Sequence, residues 1–162
     1  MNELDLTDLI THHPDRGELP IGLVKAICKQ ESRFDEDAYR YEPNYRYLVG
    51  DLLRMTETER FGQKVSWGLM QVMGGVMREH GFTGKYFTLA CREPSVGVRF
   101  GMLHLRLFQT RYQNWLDVIA AYNAGSPRKN DEGQYVNQEY VNSVVTHWRS
   151  FESHLELKAS EA

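Results

Sequence analysis

Cysteine is scarce in this chain of 162 residues, which contains only Cys28 and Cys91. Two cysteines supply neither a disulfide framework nor the ligand spacing of a zinc site. Cys28 is most simply a small core residue on a helix, and a bridge between Cys28 and Cys91 stays open as an alternative. The six histidines are scattered, and the adjacent His12 and His13 lack a third ligand at helical spacing. We therefore expect no metal and no cofactor.

The chain also lacks an excess of positive charge. Lysine and arginine total 19 against 22 acidic residues, which gives a formal net charge of −3. This balance disfavours nucleic-acid binding. No stretch approaches the roughly 20 apolar residues of a membrane span, and residues 1–6 lack the basic and apolar parts of a signal peptide. Neither a membrane span nor a signal peptide is expected, and the length predicts a single domain over residues 1–162.

Apolar residues recur at helical spacing along most of the chain, and no run alternates convincingly with period two. The pattern predicts helices from Leu4 to Ile10, from Pro20 to Glu31, from Gly74 to His80, from Pro94, from Trp115 with Gly125 as its cap, and around Val141 to Phe151. Residues 35–66 read as a long irregular span, within which Leu48 to Arg60 could form one more helix. The fold class is therefore mostly α, with little or no β-sheet, and a polar tail from about residue 153 is expected to fray.

Glu31 occupies an unusual place in this pattern. Together with Val24, Ile27 and Cys28 it falls on one face of its helix, at the spacing of core residues. Burial there, and the negative end of the helix dipole, would both raise the pKa of its carboxyl. A carboxyl that keeps its proton near neutral pH can act as a general acid. The alternative is a helix end whose polar residues simply turn to solvent.

Four short segments follow one another in the chain: ESRF at 31–34, SWGLMQVM at 66–73, AYNAG at 121–125 and EYVN at 139–142. This series resembles the catalytic domain of the soluble lytic transglycosylases, a lysozyme-like family that cleaves the glycan strands of bacterial peptidoglycan. The resemblance covers about residues 18–150 and implies a helical domain with a cleft, similar to goose-type lysozyme. The span between the first two segments is longer here than in most members of that family.

The resemblance implies a mechanism with one carboxyl. Glu31 stands at the position of the family's acid, which protonates the leaving oxygen and then takes a proton from the C6 hydroxyl of the sugar. Goose-type lysozymes have an aspartate shortly after the Gly-Leu-Met-Gln segment, whereas this chain has Met73, as the transglycosylases do. The implied product is therefore a 1,6-anhydromuramic end, formed without hydrolysis, and Met73 would help to shape the cleft wall.

The resemblance also implies supporting residues. Tyr140 matches the tyrosine that hydrogen-bonds the catalytic acid and fixes its orientation. Gln71 and Asn123 offer amide groups suited to the N-acetyl and hydroxyl groups of the substrate, and Tyr122 would form part of the cleft wall. Ser66 is a counterpart for the substrate-contacting serine of the family, an assignment weakened by the long preceding span.

Glu42 keeps a second function open. Its carboxylate is most simply a surface charge paired with Arg40 or Arg46. If it instead faces the cleft as a second carboxylate, the enzyme would be a muramidase that hydrolyses the glycan. A non-catalytic glycan-binding module is a third hypothesis.

The expected partner is the peptidoglycan glycan strand, and the expected state is a monomer. With no signal peptide in view, we expect a phage-type protein, either an endolysin or a virion component, that acts on the cell wall in the periplasm. A bacterial housekeeping enzyme whose leader has been removed is the alternative.

Overall fold

The structure, a computed structural model, describes the backbone of residues 1–160 and the side chains of residues 1–152. Within that part of the chain, eight α-helices accompany a small sheet. The helices are α1 (Glu3–His12), α2 (Ile21–Ser32), α3 (Glu57–Gln63), α4 (Gly74–Glu79), α5 (Leu89–Arg92), α6 (Pro94–Arg111), α7 (Trp115–Ala124) and α8 (Gln138–Ser160), and the strands are β1 (Tyr39–Tyr41), β2 (Val65–Trp67) and β3 (Val72–Met73). The prediction of a mostly helical fold with little β-sheet is confirmed.

Local sequence signals set where several helices begin and end. Pro94 is the first residue of α6. Backbone N–H groups in the first turn of a helix have no partner within the helix, so the absence of one in proline costs nothing there. Asn114 caps α7 because its side chain accepts a hydrogen bond from the backbone N–H of Leu116, at 2.9 Å. Gly125 ends α7 in the left-handed conformation, with φ of 76°. The helix starts predicted at Pro94 and Trp115 and the cap predicted at Gly125 are confirmed.

Helix α2 lies in the core and is buried throughout residues 22–28. It approaches α8 so closely at Gly22 that a Cβ there would lie 3.0 Å from Cδ1 of Trp148. The one charged side chain in this stretch, Lys25, is 7% exposed and places its ammonium 2.8 Å from a carboxylate oxygen of Glu3. A buried charge is tolerated when it is paired in this way. Helices α1 and α8 therefore hold α2, and its C-terminal turn, in a fixed position.

The three strands form an antiparallel sheet in the order β1, β2, β3. Arg40 in β1 lies opposite Ser66 in β2, and Ser66 lies opposite Met73 in β3. Successive side chains of a strand point to opposite faces. Arg40 therefore projects from the face of β1 opposite to that of Tyr39 and Tyr41.

Residues 35–66 are more regular than the sequence predicts, because they contain β1, α3 and the start of β2. The further helix expected from Leu48 to Arg60 is present, but its predicted start is wrong, since α3 begins only at Glu57 and ends at Gln63. Gly50 adopts a φ of 111°, which is incompatible with a helix. Thr56 then caps α3 by accepting a backbone N–H from its first turn, at 3.2 Å.

Cys28 and Cys91 are free thiols, and both are buried. The bridge between them, which the sequence left open, is not formed. Burial raises the pKa of the Cys91 thiol above its ordinary value. Both cysteines are therefore core residues, and burial disfavours the reactive thiolate form.

Helix α8 extends to Ser160. The prediction of a frayed tail falls mostly on residues 153–160, whose side chains lie outside the described residues, and on 161 and 162, whose backbone lies outside them too. Among the described residues, none of the helices is both long enough and apolar enough to cross a membrane.

Candidate active site

Glu31 is the next-to-last residue of α2, and its carboxyl is half-buried at the edge of a cleft. Arg33 ends the helix in the left-handed conformation, with φ of 56°. The chain therefore turns sharply away directly after the acid. Burial raises the pKa of Glu31 above its ordinary value, and a hydrogen bond from Tyr140 and the positive charge of Arg40 lower it in part. The carboxyl thus keeps its proton to higher pH than an exposed glutamate does.

Tyr140, in the first turns of α8, donates its hydroxyl proton to Oε1 of Glu31, at 2.6 Å. The two residues are 109 positions apart in sequence, and the packing of α2 against α8 brings them together. Burial, with the neighbouring charge of Glu31, raises the pKa of Tyr140 well above its ordinary value. The phenol therefore remains a donor at any pH at which the protein would act, and it fixes the direction in which the Glu31 carboxyl points.

The turn between β2 and β3 lies beside Glu31 and is held from two helices. The hydroxyl of Ser32, at the end of α2, lies 2.9 Å from the carbonyl oxygen of Leu69. From α7, the hydroxyl of Tyr122 donates to the carbonyl oxygen of Met70, at 2.8 Å. Gly68 makes the turn possible, because a Cβ there would lie 2.5 Å from a backbone oxygen of α5 and its φ is 67°. The Gly-Leu-Met-Gln segment is thus fixed relative to the acid.

Gln71 is committed to this turn. Its amide nitrogen donates to the carbonyl oxygens of Ala38, at 3.0 Å, and Gly68, at 2.9 Å. Its amide oxygen accepts the hydroxyl of Ser66, at 2.9 Å. A primary amide has two donor hydrogens and two acceptor positions, so one acceptor position of Gln71 remains for a substrate. Ser66 is 3% exposed and lies within the cleft wall, and its hydroxyl is closer to the amide oxygen of Gln71, at 2.9 Å, than to the carbonyl oxygen of Arg40, at 3.4 Å.

Further parts of the wall come from α7 and β3. Asn123 is exposed, and its side-chain oxygen accepts a hydrogen bond from Asn137, at 2.9 Å. Its amide nitrogen is therefore the group that faces solvent in the cleft. Met73 is half-buried and lines the cleft with its thioether side chain. Tyr122 contributes its ring, because its hydroxyl is already engaged with the backbone.

Glu42 also lines this cleft, directly after β1. Its side chain is 35% exposed and forms an ion pair with Arg40, whose side chain is 76% exposed. Within the described part of the chain, Oε1 of Glu42 accepts no hydrogen bond of good geometry, so the contact with Nε of Arg40 is electrostatic. The predicted pairing of Glu42 with Arg40 is present, and so is the predicted alternative of a carboxylate in the cleft.

The cleft has a volume of about 1130 Å³ and is open to solvent. Seven of the eight predicted site residues line it, namely Glu31, Glu42, Ser66, Gln71, Met73, Tyr122 and Asn123. Tyr140 lies behind Glu31 and supports it. The structure thus brings all eight into one region, and their individual roles remain predictions.

Sequence reasoning missed two features of the cleft. Arg40 faces it and acts on Glu31, which the alternation of side chains along β1 could have indicated once β1 was identified. His104 of α6 lines the cleft and lies 3.2 Å from the ring of His80. Burial lowers the pKa of His104 to about 4, so this ring is uncharged at neutral pH. No sequence signal distinguishes it from the other histidines.

Comparison with protein families agrees with this geometry. A family model described as the transglycosylase SLT domain matches residues 8–144, a range that includes every residue placed at the cleft above. Neither the curated proteins nor the solved structures contain a match to the chain. The family has a lysozyme-like fold and acts on peptidoglycan of the cell wall. This chain belongs to the transglycosylase SLT domain family.

Proposed function

We propose that this protein is a lytic transglycosylase that cleaves the β-1,4 bond between N-acetylmuramic acid and N-acetylglucosamine without water and forms 1,6-anhydro-N-acetylmuramic acid. One observation supports this most directly: of the three carboxyls that line the cleft among the described residues, burial holds Glu31 toward its protonated form, while Glu42 is paired with Arg40 and Glu79 is exposed. A reaction that uses one carboxyl first as acid and then as base fits this arrangement.

In the first step Glu31 donates its proton to the glycosidic oxygen as the bond from that oxygen to C1 breaks. Positive charge develops on the sugar ring, and the carbonyl oxygen of the 2-acetamido group stabilises it. In the second step the C6 hydroxyl oxygen attacks C1, and Glu31, now a carboxylate, takes its proton. One C–O bond breaks, one forms, and Glu31 is reprotonated, so no water is consumed. Tyr140 holds the carboxyl in place through both steps.

We assign supporting roles to the cleft residues by what their polar groups can still reach. The amide nitrogen of Asn123 and the unoccupied acceptor position of Gln71 would bind acetamido and hydroxyl groups. Met73 and the ring of Tyr122 would contact the apolar faces of the sugars. Ser66 would act through Gln71, whose orientation it fixes.

A second candidate function has its own supporting observation, the position of Glu42 in the same cleft as Glu31. If Glu42 exchanged its contact with Arg40 for a water molecule, it could activate that water and make the enzyme a muramidase. Inverting glycosidases place their two carboxyl groups about 6.5–9.5 Å apart with a water molecule between them. A hydrolase of this kind would lose its activity when Glu42 is neutralised.

The two functions differ in product mass. Purified peptidoglycan is digested with the protein, and the released muropeptides are measured by mass spectrometry. The transglycosylase product is lighter than the hydrolysis product by one water. Products with only hydrolysed, reducing ends would overturn the proposal.

Substitutions of single carboxylates distinguish the roles of Glu31 and Glu42. Glu31→Gln should abolish cleavage under either function. Glu42→Gln should retain most of it for a transglycosylase and abolish it for a muramidase. Glu79, an exposed carboxylate of the same cleft, supplies the matched control Glu79→Gln, which should still cleave peptidoglycan and release the same products as the wild type. Full activity of Glu31→Gln would instead favour a non-catalytic module accompanied by a contaminating enzyme.

A further inference from the structure

The cleft contains more cationic than anionic side chains, although the chain as a whole has a net charge of −3. Its cations are Arg40, Arg46, Arg111 and Arg128, and its acids are Glu31, Glu42 and Glu79. A cleft lined by one sign of charge attracts ligands of the other sign. The ligand that suits this cleft therefore depends on which of these charges have no partner in the protein.

One of the acids, Glu42, is engaged with Arg40. Arg46, Arg111 and Arg128 then face two acids, Glu79 and Glu31, and burial disfavours the charged form of Glu31. All three arginines are exposed, and none has an ion-pair partner among the described residues. The cleft is therefore suited to an anionic ligand.

Arg111 has a fixed position at the C-terminal end of α6. Its side chain lines the same cleft as His104, which is located two helical turns earlier; burial and His80 chiefly lower the pKa of His104, and the charge of Arg111 adds to them. The guanidinium is thus close to the cleft wall, and the exposed side chain retains all five of its N–H donors for a ligand.

Arg128 is held on an ordered loop that follows α7. The backbone N–H of Val136 donates to its carbonyl oxygen, at 3.0 Å, and the next residue, Lys129, pairs with Tyr135 in a β-bridge. The hydroxyl of Tyr135 in turn donates to Asp117 of α7. These contacts fix the backbone of Arg128, whose side chain lines the same cleft as Asn123.

We propose that Arg111 and Arg128 bind the free carboxylates of the peptide stems of peptidoglycan, so that the enzyme prefers glycan strands that carry negatively charged stems. On strands that carry stems the lactyl carboxyl of muramic acid is bound in the amide to the stem, so the stem carboxylates are the anionic groups of the polymer. Planar guanidinium groups bind carboxylates in a two-pronged geometry, which suits this recognition. This inference rests on the proposed function, because the stems belong to the substrate that we propose is cleaved in this cleft.

The test uses one polymer in two charge states. Purified peptidoglycan is compared with the same material after its carboxylates have been converted to amides with a carbodiimide and ammonia. The wild type should cleave the native polymer about tenfold faster, a factor typical of solvent-accessible charge-assisted contacts made in pairs. The Arg111→Gln, Arg128→Gln double variant should cleave the native polymer about tenfold more slowly than the wild type does and should not distinguish the two polymers.

Two further variants make the result specific. Arg111→Lys with Arg128→Lys keeps the charge and should retain part of the preference, which separates charge from loss of folding. Arg149→Gln removes an exposed arginine of α8 that does not line the cleft, and it should behave as the wild type. The inference is overturned if the wild type cleaves both polymers equally, or if the double variant loses the same factor on both.

A binding measurement separates this inference from the proposed function. Glu31→Gln is sedimented with each polymer, and binding is measured without turnover. If the wild type cleaves neither polymer but Glu31→Gln binds the native one preferentially, the proposed function fails and the inference stands. If cleavage occurs and neither cleavage nor binding depends on the carboxylates, the inference alone fails.

Discussion

Replacing Tyr140 with phenylalanine tests how the pKa of the candidate acid is set. The substitution removes one hydroxyl and the 2.6 Å hydrogen bond that it donates to Glu31. A hydrogen bond to a charged group contributes about 1.5–3 kcal/mol and one between neutral groups about 0.5–1.5 kcal/mol. The variant therefore destabilises the ionised carboxylate more than the protonated carboxyl, by about 1–1.5 kcal/mol. Because one pKa unit corresponds to about 1.4 kcal/mol, the pKa of Glu31 should rise by about one.

The consequence for catalysis follows from which form of Glu31 is active. The first step requires the protonated acid, so activity falls as pH rises through the pKa of Glu31. A higher pKa moves this basic limb upward by about one pH unit. The variant should also be slower at its optimum, by about tenfold, because the carboxyl is no longer held in one orientation.

The assay is kcat/KM for solubilisation of peptidoglycan, measured across pH with the wild type and the variant. Tyr122→Phe is a matched control from the same cleft, because its hydroxyl donates to the Met70 carbonyl and not to a carboxyl. Its basic limb should not move, whatever happens to its rate. A basic limb of Tyr140→Phe that stays in place or moves downward would refute the reasoning.

Three further predictions concern stability. Burial raises the pKa of Glu31 in the folded protein, so the wild type should lose stability as pH rises from below the unfolded-state pKa to above the folded one. Glu31→Gln cannot titrate at this position, so its free energy of unfolding relative to the wild type should increase over the same pH interval. In urea unfolding the increase should be about 1.4 kcal/mol for each pH unit that separates the folded-state pKa from the unfolded-state pKa. A difference that does not depend on pH would contradict this. Gln71→Glu replaces the amide that donates to Ala38 and Gly68, and thermal unfolding should show a loss of about 2–3 kcal/mol; unchanged stability with lost activity would instead make Gln71 mainly a substrate ligand. Gly74→Ala brings a Cβ against a backbone oxygen of α3 and should lower the free energy of unfolding by about 1–3 kcal/mol. A loss smaller than that of the same substitution at a glycine that has positive φ and open space around it would refute this packing argument.

Much of the fold could be predicted because helix signals are local. Pro94 marks the start of α6, and Gly125 ends α7 in a conformation that glycine adopts readily. The predicted helix start at Leu48 was wrong for an equally local reason, the positive φ of Gly50 and the cap at Thr56. The short strands were missed because two or three residues are too few to display an alternating pattern.

The candidate site was only partly predictable. The spacing of Glu31 with core residues, and its place in a familiar series of segments, identified it as the acid candidate. The same sequence assigned Gln71 to the substrate, whereas the structure shows most of its hydrogen-bonding capacity used within the turn that it forms. That difference depends on backbone carbonyls of distant residues, which a sequence pattern does not display.

The sequence by itself therefore determined the helical class, the family of the chain and the residue types available for catalysis, since these depend on local spacing and on short segments. Only the tertiary structure decided how those residues act on one another. The packing of α8 on α2 places the Tyr140 hydroxyl on Glu31 across 109 positions, and the pairing of β1 with β2 brings Arg40 and Glu42 to the cleft. The pKa of Glu31 depends on burial and on charges at short distances through space, and distances of that kind exist only once the chain has folded.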